Sequence, residues 1–492
     1  MKSLRIFLSI VLCAIMCVTF TACGDKHREA YLYFELSEQP FTLDPQTASE
    51  DSELLIIRNI FEGLMRYDVD GNLVCGAAES YKKDGLTYTF KLREFALWST
   101  GIPLSADDFV FGLRRAVNPE TAAPFVSRLF CISGAKAINS GQADPSSLGV
   151  TAVDARTVKI TLESEDENLL STLASSVAMP CNESFWNECI GKYGLESKYI
   201  IANGSYSIRK WAKGENFGIR LYDNEKYNGD FIAENAAVYL SCREEKNTVE
   251  LLENSKVDMA FLNTTETGNV KSTDIKVIKV PNICWVMTIG HEYSADVRRA
   301  FAKLTAPDVY SDSLPEGFTA ATTIYPEVID CENTENVGVT AYDLEGAQGL
   351  FSTAVKKMEN KRLPSSVMTY YNDVMIKDAA TAIIGHWQQN LSAFVNIVPS
   401  DSANLESQLT NKSLQFAVFP IKAANSNVSE YLLKFGLSSS DAVGSQKKLL
   451  ADNTLIPIAF ENTNIAFGKS LTQFAYNNDN GYIDFSFIIK EK

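Results

Sequence analysis

At 492 residues the chain is too long for one compact core, and length alone predicts two to four lobes. A composition of 46% apolar, 22% charged and 11% aromatic residues excludes a disordered chain and a protein of repeated membrane spans. The formal charge of −16 argues against nucleic acid as a partner, because a polyphosphate needs a basic face.

Lys2 and Arg5 precede an almost wholly apolar run, Ile6–Phe20. At 1.5 Å per residue that run is too short for the ~30 Å of a bilayer core, but it has the length and flanks of a signal-peptide core. Thr21-Ala22-Cys23-Gly24 follows, and small residues directly before a Cys resemble the bacterial lipobox. That likeness implies cleavage after Ala22 and lipid on Cys23. Ordinary signal cleavage, leaving a free Cys23 thiol, is the alternative. Losing residues 1–22, with two basic residues and no acid, takes the charge from −16 to −18. Gly24–Ala30 reads as a polar tether, and no later apolar stretch approaches 18 residues.

Tyr31–Phe34 predicts a short strand, broken by Leu43-Asp44-Pro45. Leu54, Ile57, Phe61 and Leu64 fall on one helical face, with Gly63 as the stop. After the turn Asp84-Gly85, Leu86, Tyr88, Phe90 and Leu92 alternate as the inward side of a strand; Val158, Ile160 and Leu162 repeat the pattern, so the two strands should share a sheet. Between them Ser105 reads as a helix N-cap, with Asp108 completing a capping box and Pro119 ending the helix. Residues 203–227 are strand-like. Residues 251–262 read as helix then strand, 341–358 and 378–391 as two amphipathic helices, and 394–398 as a strand. The class is mixed α/β.

Seven cysteines remain once Cys13, Cys17 and Cys23 are set aside: Cys75, Cys131, Cys181, Cys189, Cys242, Cys284 and Cys331. An odd set without Cys-x-x-Cys spacing is neither a disulfide framework nor a zinc site, so buried free thiols are expected, with a Cys181–Cys189 bridge left open. The three histidines are scattered. His27 lies in the tether, His291-Glu292 lacks the second His of a zinc-protease motif, and His386 beside Trp387 reads as structural. No Gly-x-Ser-x-Gly elbow or Walker loop occurs, so neither a hydrolase nor an ATP-binding subunit is expected. No cofactor or metal is expected.

Several stretches together resemble the solute-binding proteins, family 5, of bacterial oligopeptide and dipeptide ABC importers. They are Leu43-Asp44-Pro45, Ile60-Phe61-Glu62-Gly63-Leu64, Tyr88 to Arg93, Trp98 to Val110, Arg114 to Pro119, Asn203-Gly204-Ser205-Tyr206, Lys256-Val257-Asp258, Val297 to Ala300 and Trp387 to Leu391. The likeness is densest over residues 31–310 and thin beyond 410. It implies a periplasmic-binding-protein-like type II clamp, with two ligand-closing lobes plus an extra lobe. Lobe I would comprise 24–75, 193–270 and 455–492, lobe II 76–192 and lobe III 271–454. It also implies a monomer outside the cytoplasmic membrane or in the periplasm, with peptide or another small solute as ligand and permease subunits with their ATPases as partners.

By the same resemblance Ala48, Ser49 and Glu50 line a side-chain pocket, and Phe125, Asn203, Gly204, Ser205 and Phe460 lie near ligand. Gly204 is expected to serve a tight backbone turn. The family's peptide binders hold the ligand's ammonium with a lobe III aspartate. Asn425 stands at that position here, offering a dipole rather than a charge, with Glu430 as a substitute anion. The expectation is a ligand without a free amine unless Glu430 substitutes, and the alternatives are a sensor or scaffold, or a receptor for a metal chelate or haem.

Overall fold

The computed structural model describes residues 31–491, apart from 244–246, 291, 325–339, 372–375, 401–403, 406–407, 409–412, 423–447 and 478–481. Strand β1 (Tyr31–Glu35) opens the fold. The hairpin β2 (Met65–Tyr67) and β3 (Leu73–Cys75) precedes β4 (Ala78–Asp84), β5 (Thr87–Leu92), β6 (Val150–Asp154) and β7 (Thr157–Thr161). Next come β8 (Tyr206–Ala212), β9 (Gly218–Asp223), β10 (Ala237–Ser241), β11 (Met259–Leu262) and the long β12 (Ile275–Ile289). The rest are β13 (Thr319–Ala320), β14 (Ser366–Tyr371), β15 (Val395–Ser400), β16 (Phe416–Lys422), β17 (Leu455–Gly468), β18 (Leu471–Asn477) and β19 (Tyr482–Lys490).

Eleven of these strands form one mixed sheet in the order β15-β14-β16-β12-β17-β11-β1-β10-β9-β8, with β13 also on β17. A separate four-stranded sheet has the order β4-β5-β7-β6. Its centre is the expected pair: Tyr88 faces Ile160 and Phe90 faces Val158 across an antiparallel ladder. Leu86 departs from its inward assignment. It sits in the turn before β5 and is exposed, because Gly85 (φ 56°) carries the chain round there.

The helices largely follow the sequence pattern. Ser105 and Asp108 form the capping box of helix Ala106–Val117, and Asp108 also accepts the buried Trp98 indole N–H at 3.1 Å. Helices Leu344–Lys356 and Lys377–Leu391 lie in the predicted stretches. The first helix is shorter than expected: it spans Asp51–Ile60 and Phe61 is already extended. Its stop is not Gly63. Asn203 takes both the Glu62 N–H (3.0 Å) and its carbonyl (2.8 Å), and the Gly204 N–H takes the Ile60 carbonyl (2.9 Å), so the backbone beyond Ile60 is committed to another segment.

Two main cores result. One joins β1, β9, β10 and helix Asp51–Ile60 to the four-stranded sheet, through Phe34, Ile57, Phe90, Phe109 and Phe485. The other surrounds β16 and helix Lys377–Leu391, where the Phe301 and Trp387 rings lie 4.4 Å apart and both pack on Phe416. Among the described residues only β12 and β17 run through both. They pair antiparallel from Ile275↔Gly468 to Thr288↔Leu455, with register shifts between Pro281 and Ile283 and between Trp285 and Val286. Ile465 and Phe467 of β17 belong to the first core, Ile456 and Ile458 to the second, and Phe460–Thr463 between them are only half-buried.

Cys75, Cys131, Cys181, Cys189 and Cys284 are free thiols, and Cys181 and Cys189 share one apolar cluster with Tyr193. Burial pushes the Cys181 thiol up to about 12 and raises Cys284 as well. Native protein at pH 7 should leave Cys181 and Cys284 unlabelled by a maleimide over hours, and both should react once it is unfolded. Fast labelling of the native protein, read by peptide mass, would contradict their burial.

Candidate functional site

The loop carrying Ala48, Ser49 and Glu50 is organised by one carboxylate. Glu53, buried in the first turn of helix Asp51–Ile60, accepts the Phe41 and Thr42 N–H groups with Oε1, each at 3.0 Å. With Oε2 it accepts those of Ser49 (3.0 Å) and Glu50 (3.2 Å). Four donors converge on one anion at a helix N-terminus, which pins both ends of the loop. Glu50 and Glu53 also form a capping box. Within the loop Ala48 is fully buried in the first core, whereas Ser49 and Glu50 are exposed.

The loop is bound from its far side by Arg115. Its Nη1 donates to Asp44 Oδ1 (2.8 Å) and Gln46 Oε1 (2.7 Å), and its other amino nitrogen to Asp44 Oδ2. Burial alone would lower the guanidinium, but the Asp44 carboxylate outweighs it and holds Arg115 above its ordinary value. Gly194 (φ 78°) closes the same corner: a Cβ there would lie 2.4 Å from the Asp44 nitrogen.

Asn203, Gly204 and Ser205 are buried and cross the end of helix Asp51–Ile60. Gly204, expected to serve a tight backbone turn, has no positive φ. It is required by close approach, since a Cβ would sit 3.0 Å from the Ile60 carbonyl carbon and 3.2 Å from that of Phe61. Next to this crossing Glu62 accepts Arg66 (3.0 Å) and the Tyr227 hydroxyl (2.7 Å) and also pairs with Arg93, while Arg66 reaches Asp484 (2.5 Å). Burial and the neighbouring Glu62 push the Tyr227 phenol above its usual range. This network ties together stretches more than 400 residues apart in sequence. Glu62 and Arg93 lie in stretches singled out from sequence.

Phe125 is partly buried against the first core, with the Arg128 guanidinium 5.4 Å from its ring centre. Burial, and then the like charge of Arg58, depress the Arg128 guanidinium below its ordinary value. Phe460 lies elsewhere, on β17 opposite Cys284 and Thr319, packed on a third cluster with Val286 and Phe419. Its neighbour Glu461 accepts the Trp285 indole N–H at 2.8 Å. Thus Ala48 and Phe125 pack on one core and Phe460 stands at the crossing strands. Cys23, Asn425 and Glu430 lie outside the described residues, as do His27, His291 and Cys331. His386 bonds the Tyr342 hydroxyl (3.2 Å) on a helix surface, and among the described residues no group of three His, Cys, Asp or Glu side chains is placed to hold a metal.

Comparison with known proteins decides the family. The model described as "Bacterial extracellular solute-binding proteins, family 5 Middle" matches residues 72–442. The chain belongs to this family. Family 5 proteins bind solutes and are not enzymes. A dipeptide-binding protein of Lactococcus lactis subsp. cremoris is 26% identical over 80% of this chain and 76% of its own length. The periplasmic murein peptide-binding protein MppA of Escherichia coli is 35% identical, over 39% of this chain and only 36% of that protein. Listeria monocytogenes OppA bound to peptide shares the fold of this family 5 chain, with a TM-score of 0.76 at 22% identity, covering 94% of this chain and 99% of that one. The E. coli murein tripeptide-binding protein MppA superposes with a TM-score of 0.75 at 20% identity, over 94% and 99%. The mixed α/β, periplasmic-binding-protein-like fold is therefore the architecture of this chain.

Glu53→Gln keeps the shape of the side chain but leaves one acceptor oxygen for four N–H groups. The amides of Phe41, Thr42, Ser49 and Glu50 should then exchange at least about tenfold faster, a loss of about 1.4 kcal/mol of local protection. Unchanged exchange by mass spectrometry would show that Glu53 does not hold the loop.

Proposed function

We propose that this family 5 protein captures peptides outside the cytoplasmic membrane, by closing its two main cores about the β12–β17 strand pair, and passes them to the permease of an ABC importer. The observation that carries this reading is the two-core, two-strand architecture in a chain whose family binds solutes and whose relatives are named for peptides. In these terms lobe I is 24–75, 193–270 and 455–492, lobe II is 76–192 and lobe III is 271–454. By these bounds the first core would be shared by lobes I and II, and the second would combine lobe III with Ile456, Ile458 and Ala459 of the last lobe I segment. A receptor for many sequences binds extended backbone by strand-like hydrogen bonds and leaves room for side chains. Ser49 and Glu50, held by Glu53, would face the ligand from lobe I, Phe125 from the lobe I–II side and Phe460 from the crossing strands. Ala48, Asn203, Gly204 and Ser205 position that surface from beneath, being buried. A ligand that favours the closed arrangement shifts the population toward it.

Export and anchoring belong to the same proposal. Residues 1–22 are the signal, Cys23 carries the lipid, and the chain works as a monomer on the outer face of the membrane or in the periplasm. Asn425 in place of an aspartate makes recognition of the ligand's ammonium weaker than in a receptor with a buried carboxylate. The reading to which failure would return us is a sensor or scaffold of the same fold.

A thermal-shift screen of the chain from Gly24 tests this, with free peptides of two to eight residues beside their N-acetylated forms, metal chelates and haem. A peptide at about 100 times its Kd should raise the melting temperature by about 2 °C or more. Acetylated and free peptides should act alike if Asn425 has replaced charge recognition. A response to free peptides alone would place an anion such as Glu430 at the amine. No response to any peptide would overturn peptide capture, and a response to haem or chelates would replace it.

A further inference from the structure

One face of the main sheet is covered only in part. Over β11, β12 and β17 it is packed by helix Thr248–Glu253 through Val249, Leu252, Ala260, Leu262 and Ala466. Over β1, β10, β9 and β8 no described element lies on that face, and it carries tyrosines and cations instead of polar small residues. Register puts Tyr33, Tyr239, Arg220 and Lys210 in one cross-strand row, and Tyr31, Ala237, Tyr222 and Ser207 in the next. The Tyr239 ring lies 5.1 Å from Tyr33, 5.5 Å from Tyr31 and 6.5 Å from Tyr222. Arg220 sits 5.3 Å from the Tyr239 ring, Arg209 5.0 Å from Tyr222 and Lys490 5.5 Å from Tyr33. Tyr31 and Tyr33 remain 45% and 41% exposed, and Arg209, Lys210 and Arg220 are exposed.

The carboxylates on this face are already engaged: Glu35 by Arg243, Asp258 by Lys490, and Glu225 lies 4.0 Å from Arg209. With Arg209, Lys210, Arg220, Arg243 and Lys490 against these three acids, the face is cationic on a chain of charge −16. Tyrosines among basic side chains match the headgroup layer of a bilayer, where a phenol sits with its ring in the apolar boundary and its hydroxyl in water. Anionic headgroups supply the opposite charge.

Chain geometry brings this face to a membrane. If Cys23 is the anchor, Tyr31 follows it by eight residues, which span at most about 28 Å when fully extended. The patch is four strands wide, so its far side lies only about 15 Å across the sheet from Tyr31. A tether that short keeps the patch at high effective concentration against the bilayer.

We infer that the Tyr31–Tyr33–Tyr222–Tyr239 face, with Arg209, Lys210, Arg220 and Lys490, docks on anionic phospholipid headgroups and fixes the orientation of the tethered protein on the membrane. The inference rests on the lipid anchor proposed at Cys23. Docking gives the protein a defined underside, with the rest of its acidic surface repelled from the bilayer.

The test is hydroxyl-radical footprinting of the full lipidated chain in vesicles of phosphatidylcholine alone, or with 30% phosphatidylglycerol (about a third anionic, enough for a strong surface potential), at low salt. Mass spectrometry of the N-terminal peptide in the same sample reports whether Cys23 is acylated. Oxidation of Tyr31, Tyr33 and Tyr239 should fall about fivefold in the anionic vesicles, and the shielding should vanish at high salt, in neutral vesicles and in Arg209→Glu/Arg220→Glu. The variant's circular dichroism and melting temperature show that it is folded. Unshielded tyrosines on an acylated chain would overturn docking and leave the anchor standing. An unacylated Cys23 would overturn the anchor and the docking with it. Shielding that grows with protein concentration in the absence of vesicles would assign the face to a second copy and overturn the membrane reading.

Discussion

The structure depends on the antiparallel pair β12–β17. Among the described residues no other pair of elements enters both main cores, and its ladder joins the β1 half of the large sheet to the β16 half. A strand pair of this length is stiff within its ladder, yet one register shift, between Pro281 and Ile283, falls opposite Asn462 and Glu461 between the residues that enter the two cores, and a second lies in the second core at Trp285–Val286. Pro281, which has no N–H to give a ladder, stands at the first of these shifts. In the closure proposed here, bending would be taken up by these few residues while each core moves as a packed body. A protein that closes on a ligand needs this division between rigid halves and a short compliant link.

The rigidity of the first core comes from charges removed from water. Glu53, Asp44 with Arg115, and Glu62 with Arg66 and Arg93 each hold backbone or side chains from distant segments. Leaving any of these ions without its partner would be costly, on the order of 3–5 kcal/mol, so the pairs act as locks on a single arrangement. They surround the 42–50 loop and the end of helix Asp51–Ile60. The surface proposed to face the ligand is thus preorganised, and less ordering would be left to oppose binding.

Much of this was legible in the sequence. The alternation in Tyr88–Leu92 and Val158–Leu162 gave two strands that do pair, and the Ser105 capping box marks a helix start. Local patterns failed where distant segments decide. Helix Asp51–Ile60 stops early because Asn203 captures Glu62, about 140 residues on, and Gly204 is needed for a close approach that no turn motif reveals. The Glu53 site was half visible as an acid three residues after Glu50, but its reach back to Phe41 and Thr42 was not. Ion pairs such as Arg66–Asp484 join residues with no shared local pattern, and sequence reading has no handle on them.

Small-angle X-ray scattering of the chain from Gly24, with and without a saturating peptide identified by thermal shift, tests closure about β12–β17 most directly. The account predicts a smaller radius of gyration in the peptide-bound state as the two cores approach. Peptide bound at full occupancy with an unchanged radius would show that the strand pair is a fixed link and that capture does not proceed by closing the lobes.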